Sequence, residues 1–430
     1  MKKALLLTSV EVPFRGNLIV GQFLAPILGA GKSDPSLEFR YLSLAPVLFY
    51  SGRRRPFKTY LAGRAKRSAV KEFTSGLGCR TDIWPILFPL FPRDFNLTRA
   101  KYYLYLAFAL GPFFCYLLLY RPDLVIARSY PAASLARLAM KFLGTPYVFD
   151  LRGMYPEESV NAGIFGAGSP DHRFWKKQEK FLISQAALNI VVSESFAEHL
   201  MAIDPEALSS IIPCCVDPQK IKYDPGRREI AKDKYGLKDR FILLHLGSFG
   251  TPGDRGLVAS YLQRFKKIRQ DAFLVVASGT KAFAAPIHQA FRDSGLKESD
   301  YLLVNPSSPE QLSEMLALGD AGLILERKAP NTKVCLSVKL GEYLAAGLPV
   351  ICTPFVEGAA RLIRQYDCGL VVDPDANEPL EKEKDFLRAH SRLQNNGFRL
   401  VSEVLSINRC QDLWRQAIKQ TILKKESQHV

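Results

Sequence analysis

The chain has 430 residues, 47% apolar and 23% charged, which excludes a disordered protein and exceeds what one core ordinarily fills, so two domains are expected. Eight cysteines with no CxxC pair, Cys214 and Cys215 being adjacent, suggest neither a zinc site nor a disulfide framework and fit a reducing cytosol. The net charge of +16 is uneven, with 26 Lys and Arg against 12 Asp and Glu in residues 1–185. Such a surface suits an anionic partner, a membrane leaflet or a nucleic acid, and no nucleic-acid-binding motif accompanies it.

The N-terminal MKKALLLTSVEVPF reads as a strand, Ala4–Val10. Its apolar run is too short for a signal peptide, it lacks a small-residue cleavage site and Glu11 follows quickly, so no export is expected. Arg15-Gly16-Asn17 then forms a loop, either an ordinary βα turn or a flexible backbone near a ligand. Arg53, Arg54, Arg55 and Lys58 open a basic run that continues to Lys71 and is expected to face a membrane. Tyr102–Tyr120 carries no charge between Lys101 and Arg121 and is long enough to span a bilayer, yet Gly111-Pro112 interrupts it. A span, a helix lying on the membrane surface and a core helix all remain open; the basic neighbour favours the surface.

From Pro122 to Glu158 two strands end in Ala127-Arg128-Ser129 and Asp150-Leu151-Arg152-Gly153. An arginine at a strand's carboxyl end can fork onto phosphate oxygens. The plain alternative is that Arg128 and Arg152 pair with Asp150, Glu157 or Glu158. Strands are expected at Leu124–Ala127, Tyr147–Asp150, Ile190–Ser193 and Ile211–Pro213, with helices such as Ala132–Phe142 and Phe174–Gln185 between them. Turn residues from 214 to 228 read as a linker. Strands then restart at Phe241–Leu246, Ala272–Ala277, Tyr301–Val304, Ala321–Leu325, Val350–Thr353 and Leu370–Val372. The alternation predicts two parallel α/β domains, residues 1–213 and 229–408, followed by a C-terminal helix in 409–430.

Leu243–Gly256, LLHLGSFGTPGDRG, is a strand entering a Gly-rich loop, in which Ser248 and Gly250 let a backbone approach phosphate and Arg255 supplies charge. By itself this is a weak signal. Ser337–Val350, SVKLGEYLAAGLPV, is the most informative stretch. Ser337 is a candidate N-cap, Leu340, Tyr343 and Leu344 form an apolar stripe, and Gly347 with Pro349 stops the helix. Lys339 and Glu342 occupy its first turn and a half, where free amides and the helix dipole favour an anion. Read alone, it is equally a capped amphipathic helix with a solvated Lys and Glu.

This last segment resembles the nucleotide-binding region of retaining glycosyltransferases of family 4, which often read SPxKLxEYLAAGxPVI. ARSY and FDLRGMYPEE resemble a subgroup of the same family. The resemblance implies the GT-B architecture, two Rossmann-like doubly wound domains facing a cleft, with the first domain toward the acceptor and membrane and the last helix crossing back to pack on it. By position, Glu342 would bond the ribose of a nucleotide sugar, while the amides from Ser337 to Leu340, with Lys339, hold its diphosphate. Ser248, Gly250 and Arg255 match the family's diphosphate clamp, with Ser248 where an Arg is usual. Gly16 matches a loop near the donor phosphate. Arg152 stands where many members have a His, so it and Arg128 would stabilise charge rather than act as a base. The family's second Glu, eight residues before the ribose one, is Val334 here, leaving Asn331 and Lys333 as candidate lining.

The expected activity is transfer of a sugar, with retention, from a UDP- or GDP-linked donor to a lipid-linked glycan in cell-surface polysaccharide synthesis. No metal or further cofactor is expected, and the enzyme would sit peripherally on the inner face of the cell membrane. A sugar-nucleotide epimerase of the same architecture and a catalytically silent binding protein are the alternatives. The histidines form no HExxH pair, and no GxSxG elbow or GxxxxGK[ST] loop occurs.

Overall fold

Aliphatic runs separated by amphipathic segments can bury both faces only inside a parallel sheet clothed by helices. The computed structural model describes the chain apart from residues 12, 14–17, 33, 47–62, 87–96, 250–251, 279–283, 377–378 and 428–430. Contacts divide it into two units, Met1–Pro213 with Cys410–Val430, and Cys214–Arg409.

The first unit holds a seven-stranded parallel sheet in the order β3-β2-β1-β4-β5-β6-β7. Its strands are β1 Lys2–Ser9, β2 Leu37–Pro46, β3 Arg80–Ile86, β4 Leu124–Arg128, β5 Tyr147–Asp150, β6 Leu188–Val191 and β7 Ser209–Ile211. Sequence reading missed β2 and β3. Pro85 inside β3 argues against a strand, but β3 is the sheet edge, where a missing ladder N–H is tolerated.

Gly111-Pro112 does not interrupt the apolar segment: one helix runs from Arg99 to Tyr120 with Pro112 inside it. Pro112 offers no N–H to the carbonyl of Phe108 one turn earlier, yet the helix continues through it. Tyr102, Tyr105, Ala109, Phe113, Tyr116 and Tyr120 recur at helical spacing and are buried. Tyr105 Oη bonds Ser9 Oγ of β1, and Tyr116 Oη donates to Asp82 of β3 at 2.9 Å. The helix is long and apolar enough to cross a membrane, yet it packs one face against this unit.

The C-terminal helix, Ile407–Ser427, buries Trp414 and Ile418. Lys419 pairs with Asp34 at 3.1 Å, and a Cβ on Gly29 would fall 2.2 Å from Gln411 Nε2 and displace that side chain.

The second unit carries a six-stranded parallel sheet, β10-β9-β8-β11-β12-β13. These are β8 Phe241–Leu246, β9 Ala272–Ala277, β10 Tyr301–Val304, β11 Ala321–Ile324, β12 Val350–Cys352 and β13 Gly369–Val371. The segment 214–228 is structured within this unit rather than a bare linker. Val216 bridges to Ser406, and Asp224 caps the helix Pro225–Lys234. Strand order reverses between β1 and β4 and between β8 and β11, and in doubly wound sheets ligands bind beyond the strand ends at such points.

Candidate functional site

In the second unit the reversal point is met by the helix Val338–Ala345. Tyr343 fixes its position: its hydroxyl accepts from the amide of Leu246 at 2.8 Å, tying the helix to the end of β8. Gly322 in β11 makes room, since a Cβ there would lie 2.3 Å from the Tyr343 ring. Ser337 occupies the N-cap position, but its side chain caps nothing, so the amides of the first turn stay open. The Leu340 amide is an exception, because it donates to the Ser337 carbonyl at 3.1 Å and is already satisfied.

Charge gathers at this helix start. Burial pushes the Glu342 carboxyl up to about 7, against the pull of Lys339. Burial also raises Glu326, at the end of β11, with Lys339 again opposing and Asp254 adding like charge. One ammonium thus lies within electrostatic reach of two carboxylates from different parts of the chain. His245, on β8, is 2% exposed and held neutral, first by burial and then by Lys339. It stacks on Phe249 with ring centroids 4.2 Å apart, and both its ring nitrogens lack a partner among the described residues. Gly247, at φ +82°, turns the chain sharply out of β8, and a Cβ there would touch Lys339 Cε at 3.7 Å. Ser248 beyond it is exposed. Arg255 lies in the first turn of the helix Pro252–Lys266 with a buried Nε that meets no acceptor among the described residues. Cation, open amides and a half-buried carboxylate suit a ligand with a polyanionic group beside hydroxyls.

In the first unit both arginines turn toward Asp150, which is fully buried. Arg152 Nε donates to it at 2.9 Å, and Nη2 donates to the Gln22 carbonyl at 2.7 Å. Arg128 is buried, donating to Glu11 at 3.0 Å and to Asp150 at 3.5 Å. The geometry therefore matches the plain alternative for Arg128, a structural ion cluster, while Arg152 still reaches the wall of a pocket. That pocket encloses about 350 Å³ beyond β1, β4 and β5. An aromatic cluster of Tyr102, Tyr130, Tyr155 and Trp175 supports it, Tyr155 and Trp175 having centroids 4.7 Å apart.

Gly16, Gly250, Arg53, Arg54, Arg55 and Lys58 lie outside the described residues. Val334 is buried, Lys333 exposed and Asn331 between them. Sequence reasoning gave no site role to His245, Glu326 or Glu11, and considered Glu158 only as an ion-pair partner for the two arginines.

Residues 53–220 match the family described as Glycosyltransferase Family 4. The chain superposes on sucrose-phosphate synthase from Thermosynechococcus elongatus with a TM-score of 0.72 at 15% identity, covering 99% of this chain and 100% of that one. Anabaena Alr3699/HepE in complex with UDP and glucose gives 0.67 at 14% identity, covering 98% and 100%. A protein of Listeria monocytogenes described as a UDP-N-acetylglucosamine 2-epimerase gives 0.57 at 11% identity and 98% coverage of both chains. No curated protein matches. The fold is GT-B.

Proposed function

We propose that this GT-B chain is a glycosyltransferase that takes a sugar from a nucleotide diphosphate sugar, with the second unit as its donor site. The observation that carries the reading is the helix start at Ser337–Lys339, where open amides and Lys339 adjoin the half-buried Glu342. Lys339, the amides of residues 337–339 and Arg255 would neutralise the departing diphosphate, and Glu342 would accept hydrogen bonds from the ribose. HepE, solved with UDP and glucose, supports a UDP-linked donor. Transfer would proceed with retention and without a metal, cationic side chains and amides taking the metal's place.

For the acceptor, the reading is a lipid-linked glycan of a cell-surface polysaccharide, met at the cytoplasmic face of the membrane. The exposed side of the Arg99–Tyr120 helix supports this: Tyr103, Phe108, Leu118 and Leu119 are open, and Arg99, Lys101 and Arg121 stand at the helix ends. The occupant that fits is an anionic lipid leaflet, because the apolar face is flanked by cations.

Isothermal titration with UDP and a panel of UDP- and GDP-sugars tests the donor reading. Binding should weaken about tenfold or more in Glu342→Ala, the scale of a lost hydrogen bond to a charged group. Undetectable nucleotide binding by the wild type would sink it. The epimerase likeness gives a second reading, which is distinguished by its product: isomerised donor without release of free UDP or GDP.

A further inference from the structure

A buried imidazole at the switch point of the second sheet takes no part in the contacts proposed above for the donor. His245 is 2% exposed, and neither of its ring nitrogens meets a partner among the described residues. A neutral imidazole carries one N–H donor and one acceptor nitrogen, and leaving both unmade inside a protein costs stability. Stacking on Phe249 occupies a face of the ring and neither nitrogen. An apolar side chain of similar size would pack there without that penalty, so the imidazole calls for a partner that arrives from outside the fold.

Its place on the strand shows where that partner would lie. β8 pairs with β11 only through Leu243 and Leu244, opposite Ala321 and Gly322, so the two strands part before His245. Side chains alternate along a strand, and His245 therefore shares a face with Phe241 and Leu243, which cluster with Leu257, Val258 and Tyr261 of the helix Pro252–Lys266. Because β8 and β9 are parallel, the helix joining them runs back along the sheet, and its first turn lies at the strand end that His245 occupies. That turn carries Arg255, while Asp254 Oδ1 accepts from the Arg327 amide at 3.1 Å. Lys339 is close too, since a Cβ on Gly247, two residues beyond His245, would stand 3.7 Å from Lys339 Cε. Glu326 is the other carboxylate within reach of Lys339, and it does not bond the ring. The imidazole thus ends a strand beside a helix start and two cations. A ligand group made of negatively charged oxygens would be drawn there and would accept the N–H that nothing in the fold accepts.

We propose that His245 donates its ring N–H to a diphosphate oxygen of the nucleotide, an assignment that rests on the donor reading for the identity of the anion. Burial first and Lys339 second keep the ring neutral, so it serves as a hydrogen-bond donor and not as a cation or a base. The same orphaned group weakens the empty fold and strengthens the complex. Stability and affinity should therefore respond to its removal in opposite directions.

Calorimetric titration of UDP into the full chain, with a urea melt of each sample, tests it. His245→Leu, close in volume, should keep or raise the urea midpoint and weaken UDP about tenfold. His245→Gln, which retains an N–H donor, should recover part of that affinity. An unchanged UDP affinity in His245→Leu, a urea midpoint that falls together with the affinity, or a Gln variant that binds no better than the Leu variant would each overturn the inference. Wild type that binds UDP no better than His245→Leu refutes the role of His245 alone. Wild type that does not bind UDP refutes the donor reading and this assignment with it.

Discussion

Glu342 joins two consequences of one environment. An acid whose folded pKa lies above its unfolded value keeps its proton in the fold, so ionising it removes stability as pH rises from about 4.5 to about 7. Glu342→Gln should therefore flatten that part of the pH dependence of the urea midpoint, modestly, because the side chain is only half-buried. Ligand binding runs the other way. A ribose hydroxyl is better held by the carboxylate, so affinity for UDP-glucose, whose diphosphate stays fully ionised, should rise between pH 6 and 8, and Glu342→Gln should remove the rise. Arg128 is a contrasting residue: buried between Glu11 and Asp150, it belongs to an ion cluster. Removing one member of such a cluster costs about 3–5 kcal/mol. Arg128→Ala should thus lower the thermal midpoint and the denaturant midpoint together. Loss of activity with unchanged stability would instead return Arg128 to a direct chemical role. Lys339 and Glu342 were legible because both lie on one short motif. Glu326, His245 and Glu158 were not, because their relation to those motifs exists only after strands far apart in sequence become neighbours.

Among elements, the Arg99–Tyr120 helix shows how composition leaves a choice that packing narrows. Its uncharged sequence fits a span, a surface helix or a core helix, and its burial selects one face for the β1–β3 side of the sheet through Tyr105 and Tyr116. The opposite face keeps Leu118 at 59% and Leu119 at 84% exposure. Liposome sedimentation should show binding to anionic vesicles that weakens with salt and falls on Leu118→Ser with Leu119→Ser. Equal binding to neutral vesicles would refute the electrostatic part of the reading. The helix Val338–Ala345 depends on a different device, the absence of a side chain at Gly322 beneath Tyr343. Gly322→Ala should destabilise by about 1–3 kcal/mol through overpacking and weaken UDP binding by shifting the helix, measurable by urea melts and calorimetry. The periodicity of both helices was readable in advance. The neighbour beneath each was not, since a glycine 21 residues before Tyr343 carries no mark of what it will face.

Over the whole molecule, the division into Met1–Pro213 with Cys410–Val430 and Cys214–Arg409 makes the chain's end part of its beginning. Trp414 is fully buried, and Arg415 Nε donates to the Ala30 carbonyl at 3.4 Å. Deleting residues 410–430 should raise hydrogen exchange in the helix Ala25–Lys32 while leaving β8 to β12 protected. The sequence alone determined that there are two parallel α/β units and that one helix start in the second carries a cation and a carboxylate. Those features follow from local periodicity, capping residues and a contiguous motif. Tertiary structure alone decided that Pro85 lies on an edge strand and that Asp150 gathers Arg128 and Arg152. It also brought Lys339 within electrostatic reach of Glu326, and opened Glu158 into a pocket. Each of these depends on strand order, and in a parallel sheet neighbouring strands are joined by long crossovers. Residues that meet at the strand ends are therefore remote along the chain.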